Sequence, residues 1–133
     1  VNIPVFVFDV DMTLTTEFWT DAHVTGLRAN QPVLNLALSM QENGLDVVVV
    51  TARPELLYDD TEFWLNDKGL YPQMLLMREP GDERPDYKVR VDQVRTVMEE
   101  YGDRILLFDD NPDNCRAVRA MNVPAIQVKV REQ

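Results

Sequence analysis

Short, almost unbroken apolar runs punctuate this chain: Val5-Phe6-Val7-Phe8, Val47-Val48-Val49-Val50, Met74-Leu75-Leu76-Met77 and Ile105-Leu106-Leu107-Phe108. Continuous rather than alternating apolarity suits strands covered on both faces, as in parallel sheets. The runs predict strands near residues 4–9, 46–50, 73–77 and 104–108, with a fifth near 125–130. Between them the apolar positions change to helical spacing. Pro32 begins a helix carrying Leu34, Ala37, Leu38 and Met40, which Asn43-Gly44 stops. Pro54 is expected in the first turn of a second helix, with Leu57, Phe63, Trp64 and Leu65, ending near Lys68-Gly69. A third runs from about Asp86 to Tyr101, with Tyr87, Val91, Val94, Met98 and Tyr101 as its apolar stripe and Gly102 as its stop. Pro112 starts a fourth, ending before Pro124. Strand and helix alternate throughout, so the expected fold is a three-layer α/β sandwich around a parallel sheet.

Two stretches fit neither period: residues 14–30, and 78–85 (Arg-Glu-Pro-Gly-Asp-Glu-Arg-Pro). Polar or long connections are where function tends to sit, and neither is large enough to form a folded lid domain. A length of 133 residues suits a single domain, 1–133. No apolar run is long enough to span a bilayer and no charged leader precedes one, so a soluble, cytoplasmic protein without membrane contact is expected. Cys115 is alone, which excludes an internal disulfide and fits a reducing compartment; it reads as a small helix residue. With 13 basic against 23 acidic residues the formal charge is −10, which opposes tight nonspecific binding to a polyanion. Any nucleic-acid contact should be local and weak.

Where the apolar runs end, the chemistry begins. The first opens onto Asp9-Val10-Asp11-Met12-Thr13, the second onto Thr51-Ala52-Arg53 and the fourth onto Asp109-Asp110-Asn111. Open α/β sheets bind ligands beyond the carboxyl ends of their strands, so these groups are expected to share one site. Adjacent carboxylates repel unless neutralised, and a Mg²⁺ ion held by Asp9, Asp11, Asp109 and Asp110 would do this. Asp9 then suits a nucleophile that forms an aspartyl-phosphate, and Asp11 a proton donor to the leaving alkoxide that later activates water. Thr51 and Arg53 offer a hydroxyl and a guanidinium fork to phosphoryl oxygens, and a basic residue of the third helix completes the neutralisation.

Plainer readings stand beside these. Asp110 or Asn111 can cap the fourth helix, with Asp113 in its first turn, and Thr51 before Pro54 resembles a helix start. Arg78, Asp82, Arg84 and Asp86 can form a salt-bridged loop. Phe18, Trp19, His23 and Arg28 suit a stacking and phosphate-binding flap, or simply aromatic packing onto the core.

The order acid pair, Thr, basic residue, acid pair resembles the haloacid dehalogenase (HAD) superfamily of aspartate-nucleophile phosphatases. That resemblance implies a Rossmann-like five-stranded sheet of order 3-2-1-4-5 and no cap domain. Met77-Arg78-Glu79-Pro80-Gly81-Asp82-Glu83-Arg84-Pro85-Asp86 is similar to the 3′-phosphatase domains of bacteriophage polynucleotide kinase/phosphatases. By that likeness Arg78, Arg84 and Asp86 join Thr51, Arg53 and the helix cation on the substrate side. The cation usually stands four residues after the position of Asp86, which is Arg90; Lys88 replaces it if the first turn is irregular. No Gly-rich Walker loop is present, so the resemblance implies a stand-alone phosphatase without a kinase half. Met12 stands where Gly is common, and Asn111 where the polynucleotide enzymes carry a basic residue. The resulting expectation is a Mg²⁺-dependent polynucleotide 3′-phosphatase. The alternatives are a phosphatase of nucleotides or other small esters, and a non-catalytic phosphate- or metal-binding module.

Overall fold

The computed structural model describes residues 3–130, so residues 1–2 and 131–133 of the expected 1–133 domain lie outside the described residues. Its strands are β1 (Val5–Asp9), β2 (Val47–Pro54), β3 (Met74–Arg78), β4 (Ile105–Asp109) and β5 (Ala125–Gln127). Its α-helices are α1 (Gln31–Glu42), α2 (Tyr58–Asp67), α3 (Asp86–Tyr101) and α4 (Pro112–Arg119). The strands form one parallel sheet in the order β3-β2-β1-β4-β5, with β1 central, as the resemblance implied.

Strand side chains alternate between two cores. Val5, Val7, Val48, Val50, Ile105 and Leu107 pack against Val94 and Val97 of α3 and Cys115 and Val118 of α4. Phe8, Val47, Val49 and Phe108 face the other way, onto Leu34 and Ala37 of α1 and Trp64 and Leu65 of α2. The Phe8 and Phe108 rings stack at 4.6 Å between centroids. Burial on both faces explains the continuous apolar runs, and among the described residues no cap domain covers the carboxyl edge of the central strands. Among the described residues no helix is long and apolar enough to cross a membrane.

Two boundaries and one helix face depart from the expectation. Pro54 does not begin a helix: at φ −64° and ψ 145° it extends β2, pairs with Arg78, and is followed by a 3₁₀ turn over Glu55–Leu57. Proline's fixed φ suits an extended residue as well as a helix start, so sequence alone did not separate the two. β5 stops at Gln127 rather than residue 130, because its partner β4 ends at Asp109, opposite Gln127. On α3, Tyr87 is exposed and Val91 half-buried; the inward face is Val89, Arg90, Gln93, Val94 and Val97. Val94, Met98 and Tyr101 of the expected stripe pack on the core, with the polar Arg90 and Gln93 buried beside them.

Candidate active site

The site begins where β1 ends. Asp9 is the last residue of the strand, and Val10–Leu14 then forms a tight π-type turn. Met12 has φ 63°, the left-handed region that costs a side-chain-bearing residue roughly 1–2 kcal/mol. That is the physical reason glycine suits this position, and the Met12 amide is fixed there by donating to Thr15 Oγ1 at 3.1 Å. The turn also carries Thr13 back under the strand end, where its hydroxyl donates to Asp9 Oδ2 at 3.1 Å.

Asp9 sits in a group of three acids and one base. Single ligand oxygens of Asp9, Asp109 and Asp110 all lie within 4.8 Å of one another. Arg90, 1% exposed, reaches them from α3: Nη2 donates to Asp9 Oδ1 at 2.9 Å and Nη1 to Asp109 Oδ2 at 2.6 Å. Burial raises the Asp9 pKa well above the usual carboxylate range; Arg90 opposes that rise, while Asp109 and Asp110 add to it. Burial likewise raises Asp110. For Arg90, burial alone would lower the pKa, but Asp109 and Asp9 hold it raised. Full ionisation of the three carboxyls against one guanidinium would leave two negative charges in excess, the amount a divalent cation neutralises.

The side-chain chemistry fits such an ion. The donor set is oxygen only, as Mg²⁺ requires. Asn114 supplies a second indication: its Nδ2 donates to Asp109 Oδ2 at 3.2 Å, while its buried Oδ1 has no partner among the described residues. An orphaned acceptor in the cleft wall suits a water of a hydrated cation.

Asp11, expected as a fourth metal ligand, is not among the three acids whose oxygens lie within 4.8 Å of one another. Arg53 engages both of its oxygens, Nε to Oδ2 at 3.0 Å and Nη2 to Oδ1 at 2.8 Å. Trp19 N also donates to Oδ1, at 3.2 Å. Arg53 Nη1 is held by Thr61 Oγ1 of α2 at 3.0 Å. Arg53 is therefore paired with Asp11, where it was expected to be free for phosphoryl oxygens. Thr51 is buried beneath the surface, its Oγ1 accepting from Arg53 N at 3.1 Å.

A cleft of about 260 Å³ joins these groups, lined by Asp9, Asp11, Arg53, Arg90, Asp110 and Asn114 with Phe18 and Trp19 at its wall. Asp86 also lines it. Lys88 is exposed in the first turn of α3 and does not line the cleft, so of the two candidates on α3 it is Arg90 that stands at the site. Arg78 and Arg84 do not reach it either. Arg78 donates to Ala52 O, Asp82 O and Arg84 O and pairs with Asp86, and Arg84 pairs with Asp82 and Asp92. Hydrogen bonds from Arg84 lower the Asp82 pKa to about 2. The arginines of the segment are taken up by the loop itself, by β2 and by α3, so the salt-bridged loop is what the structure contains.

In the 14–30 segment the aromatic pair divides. Trp19 packs against the core and Phe18 stays 62% exposed. His23 faces Glu17 at 3.8 Å, and neither it nor Arg28 lines the cleft. At the start of α4, Asn111 Oδ1 accepts from Asp113 N at 2.8 Å and Asn114 N at 3.3 Å, so Asn111 rather than Asp110 is the cap. Sequence reasoning gave no role to Thr13, Thr61, Gln93 or Asn114. The spacing of Gln93 and Asn114 with the inward positions of their helices was the one available signal.

Residues 4–132 match the polynucleotide kinase PNKP phosphatase domain family. Among solved structures, a chain of the Pnkp1/Rnl/Hen1 complex superposes with a TM-score of 0.78 at 22% identity, over 98% of this chain and 48% of that one. The Pnkp1/Rnl/Hen1 RNA repair complex gives 0.77 at 23%, over 98% and 44%. The D,D-heptose 1.7-bisphosphate phosphatase from B. bronchiseptica, complexed with magnesium and phosphate, gives 0.68 at 14%, over 92% and 79%. At such identities the structural likeness is one of fold. The chain spans about half the length of the Pnkp1-complex chains it matches. Curated protein sequences yielded no significant match.

Proposed function

We propose that this chain, which belongs to the polynucleotide kinase PNKP phosphatase domain family, is a Mg²⁺-dependent polynucleotide 3′-phosphatase with Asp9 as nucleophile. Its class is the HAD-type phosphatase, a hydrolase of phosphoric monoesters. The observation that carries the reading is the division of two acids two residues apart: Asp9 among Asp109, Asp110 and Arg90, and Asp11 with Arg53. Each half suits one role.

Asp9, Asp109 and Asp110 would hold Mg²⁺, which supplies charge neutralisation for the carboxylates and the phosphoryl oxygens. Thr13 and Arg90 hold the Asp9 carboxylate in place, one contact to each oxygen. Asp9 attacks phosphorus, the P–O bond to the leaving group breaks, and an aspartyl-phosphate forms. Asp11 gives a proton to the departing alkoxide and takes one from the water that hydrolyses the acyl phosphate. Because both Asp11 oxygens accept from Arg53, one of these contacts must open for that proton to be carried and delivered.

The side of the site that meets Asp11 also meets the leaving group. Trp19 N is bonded to Asp11, and the neighbouring Phe18 ring is exposed at the cleft wall, which supports a leaving group with an aromatic face, such as a nucleoside. A second reading, a phosphatase of nucleotides or other small esters, is favoured by the internal pairing of Arg78 and Arg84 in a chain of charge −10. Phosphate release from a 3′-phosphorylated oligonucleotide, a 5′-phosphorylated one and free nucleotides, each with Mg²⁺, decides between them. Preference for the 3′-phosphorylated oligonucleotide is expected. Faster release from free nucleotides would transfer the assignment to the second reading.

A further inference from the structure

We infer that Gln93 is a positioning residue that sets the plane of the Arg90 guanidinium, and with it the aim of Nη1 and Nη2 at Asp109 and Asp9. The inference concerns a residue beyond the metal and nucleophile set, and its kinetic consequences rest on the phosphatase reading above.

A guanidinium is a planar fork, so its terminal nitrogens are directed only when a third point fixes the plane. That point is Nε, which donates to Gln93 Oε1 at 3.1 Å. Gln93 is itself anchored outside its own helix. Its Nε2 donates to Thr51 O at 2.8 Å and Leu76 O at 3.3 Å, carbonyls within β2 and β3 beside the level of Asp9. The amide has a single workable orientation, because a flip would set its NH₂ against the Arg90 Nε–H and its oxygen against two carbonyls. Arg90 and Gln93 stand three residues apart, on the same face of α3. The cation's aim is thus referred to the carboxyl edge of the sheet, where Asp9 lies, rather than to α3 alone. Gln93 is 6% exposed, a site at which a methionine of similar volume would pack without the cost of burying an amide. The amide is explained by what it directs.

The competing explanation is that Gln93 merely satisfies two strand carbonyls. Gln93→Met separates the two when made with Arg90 and with Arg90→Lys, since an ammonium has no plane to set and no Nε–H to hold. With Arg90 present, kcat on p-nitrophenyl phosphate should fall about tenfold with KM little changed. In Arg90→Lys the same replacement should change kcat less than about twofold, while Tm falls equally in both backgrounds. Equal loss of kcat in the two backgrounds, or none with Arg90 present, overturns the proposal.

A second readout is independent of turnover. The Arg90 Nε–H resonance, assigned by its absence in Arg90→Lys, should be slow to exchange with solvent in the parent protein and fast in Gln93→Met. Gln93→Glu, which keeps the acceptor and removes both donors, should preserve the slow exchange and serves if Gln93→Met fails to fold. Fast exchange in the parent protein would overturn the positioning role. A protein that turns over no phosphate ester yet shows slow exchange would overturn the phosphatase reading alone.

Discussion

Arg90 and Asp9, 81 positions apart in the chain, meet through a 2.9 Å bond from Nη2 to Oδ1. Both side chains are almost wholly buried. Ion pairs in such settings contribute little net stability, because desolvation offsets most of the attraction. This one is also outnumbered, since Asp109 and Asp110 share the same cation's neighbourhood. Fully ionised, the site would hold more negative charge than the fold alone can balance, and the consequences are measurable.

Asp9→Asn should leave the fold intact, because the amide oxygen still accepts from Arg90. It should lower turnover by about 10⁴-fold or more, as loss of a nucleophile does elsewhere. Acid-quenched enzyme should carry covalent phosphate in the parent protein and none in the variant. Full activity in the variant would remove the covalent mechanism.

The raised pKa values of Asp9 and Asp110 give the metal-free protein an unusual pH dependence. In the folded state these carboxyls hold their protons to higher pH than when unfolded. Their contribution is therefore most favourable below the unfolded carboxylate pKa and is lost as pH rises through the raised folded values. Without metal, the Tm of Asp9→Asn relative to the parent should climb from pH 4 to pH 7. Added Mg²⁺ competes with protons for the same oxygens, so its stabilisation of the parent should grow over that interval, and EDTA should abolish both it and activity. A Mg²⁺ effect on Tm independent of pH would count against Asp9, Asp109 and Asp110 as ligands.

Arg53 is expected to act through Asp11. Arg53→Ala leaves a buried carboxylate without its partner, a change that typically costs about 3–5 kcal/mol. Arg53→Lys keeps the charge and loses the two-point grip, so kcat should fall more than stability does. Thr61→Val removes the support of Nη1 and should show a weaker form of the same effect. If Arg53→Lys raises KM and leaves kcat unchanged, the residue binds substrate instead.

For Arg84, the pairs to Asp82 in its loop and Asp92 on α3 indicate a role in fixing the loop to the helix. Arg84→Ala should lower activity on a 3′-phosphorylated oligonucleotide and on p-nitrophenyl phosphate by similar, small factors. A selective loss on the oligonucleotide, larger at low salt, would restore this residue to the substrate side.

Burial pushes the Cys115 thiol up to about 11. The folded protein should therefore react with a thiol reagent at pH 8 far more slowly than in guanidinium chloride. Rapid labelling under native conditions would show that α4 opens readily from the sheet.

By itself the sequence determined the layers and the place of the chemistry. Val5–Phe8, Val47–Val50 and Ile105–Phe108 are apolar at every position because each face of the sheet meets helices, and a two-sided core leaves no alternation to misread. The acids after β1 and β4 were legible because polar groups directly behind a buried strand have few places to go except its open end. Which groups meet which was decided only by the tertiary structure. Gln93 and Asn114 read as ordinary polar helix residues, since periodicity says which way a position faces and nothing about what stands opposite. Arg53 sits at a strand end as foreseen, yet its fork is taken by Asp11 while Thr61 of α2 holds its remaining terminal nitrogen. Hydrogen-bond partners are fixed at separations of about 3 Å by the packing of several elements at once, and no local pattern in the chain carries that information.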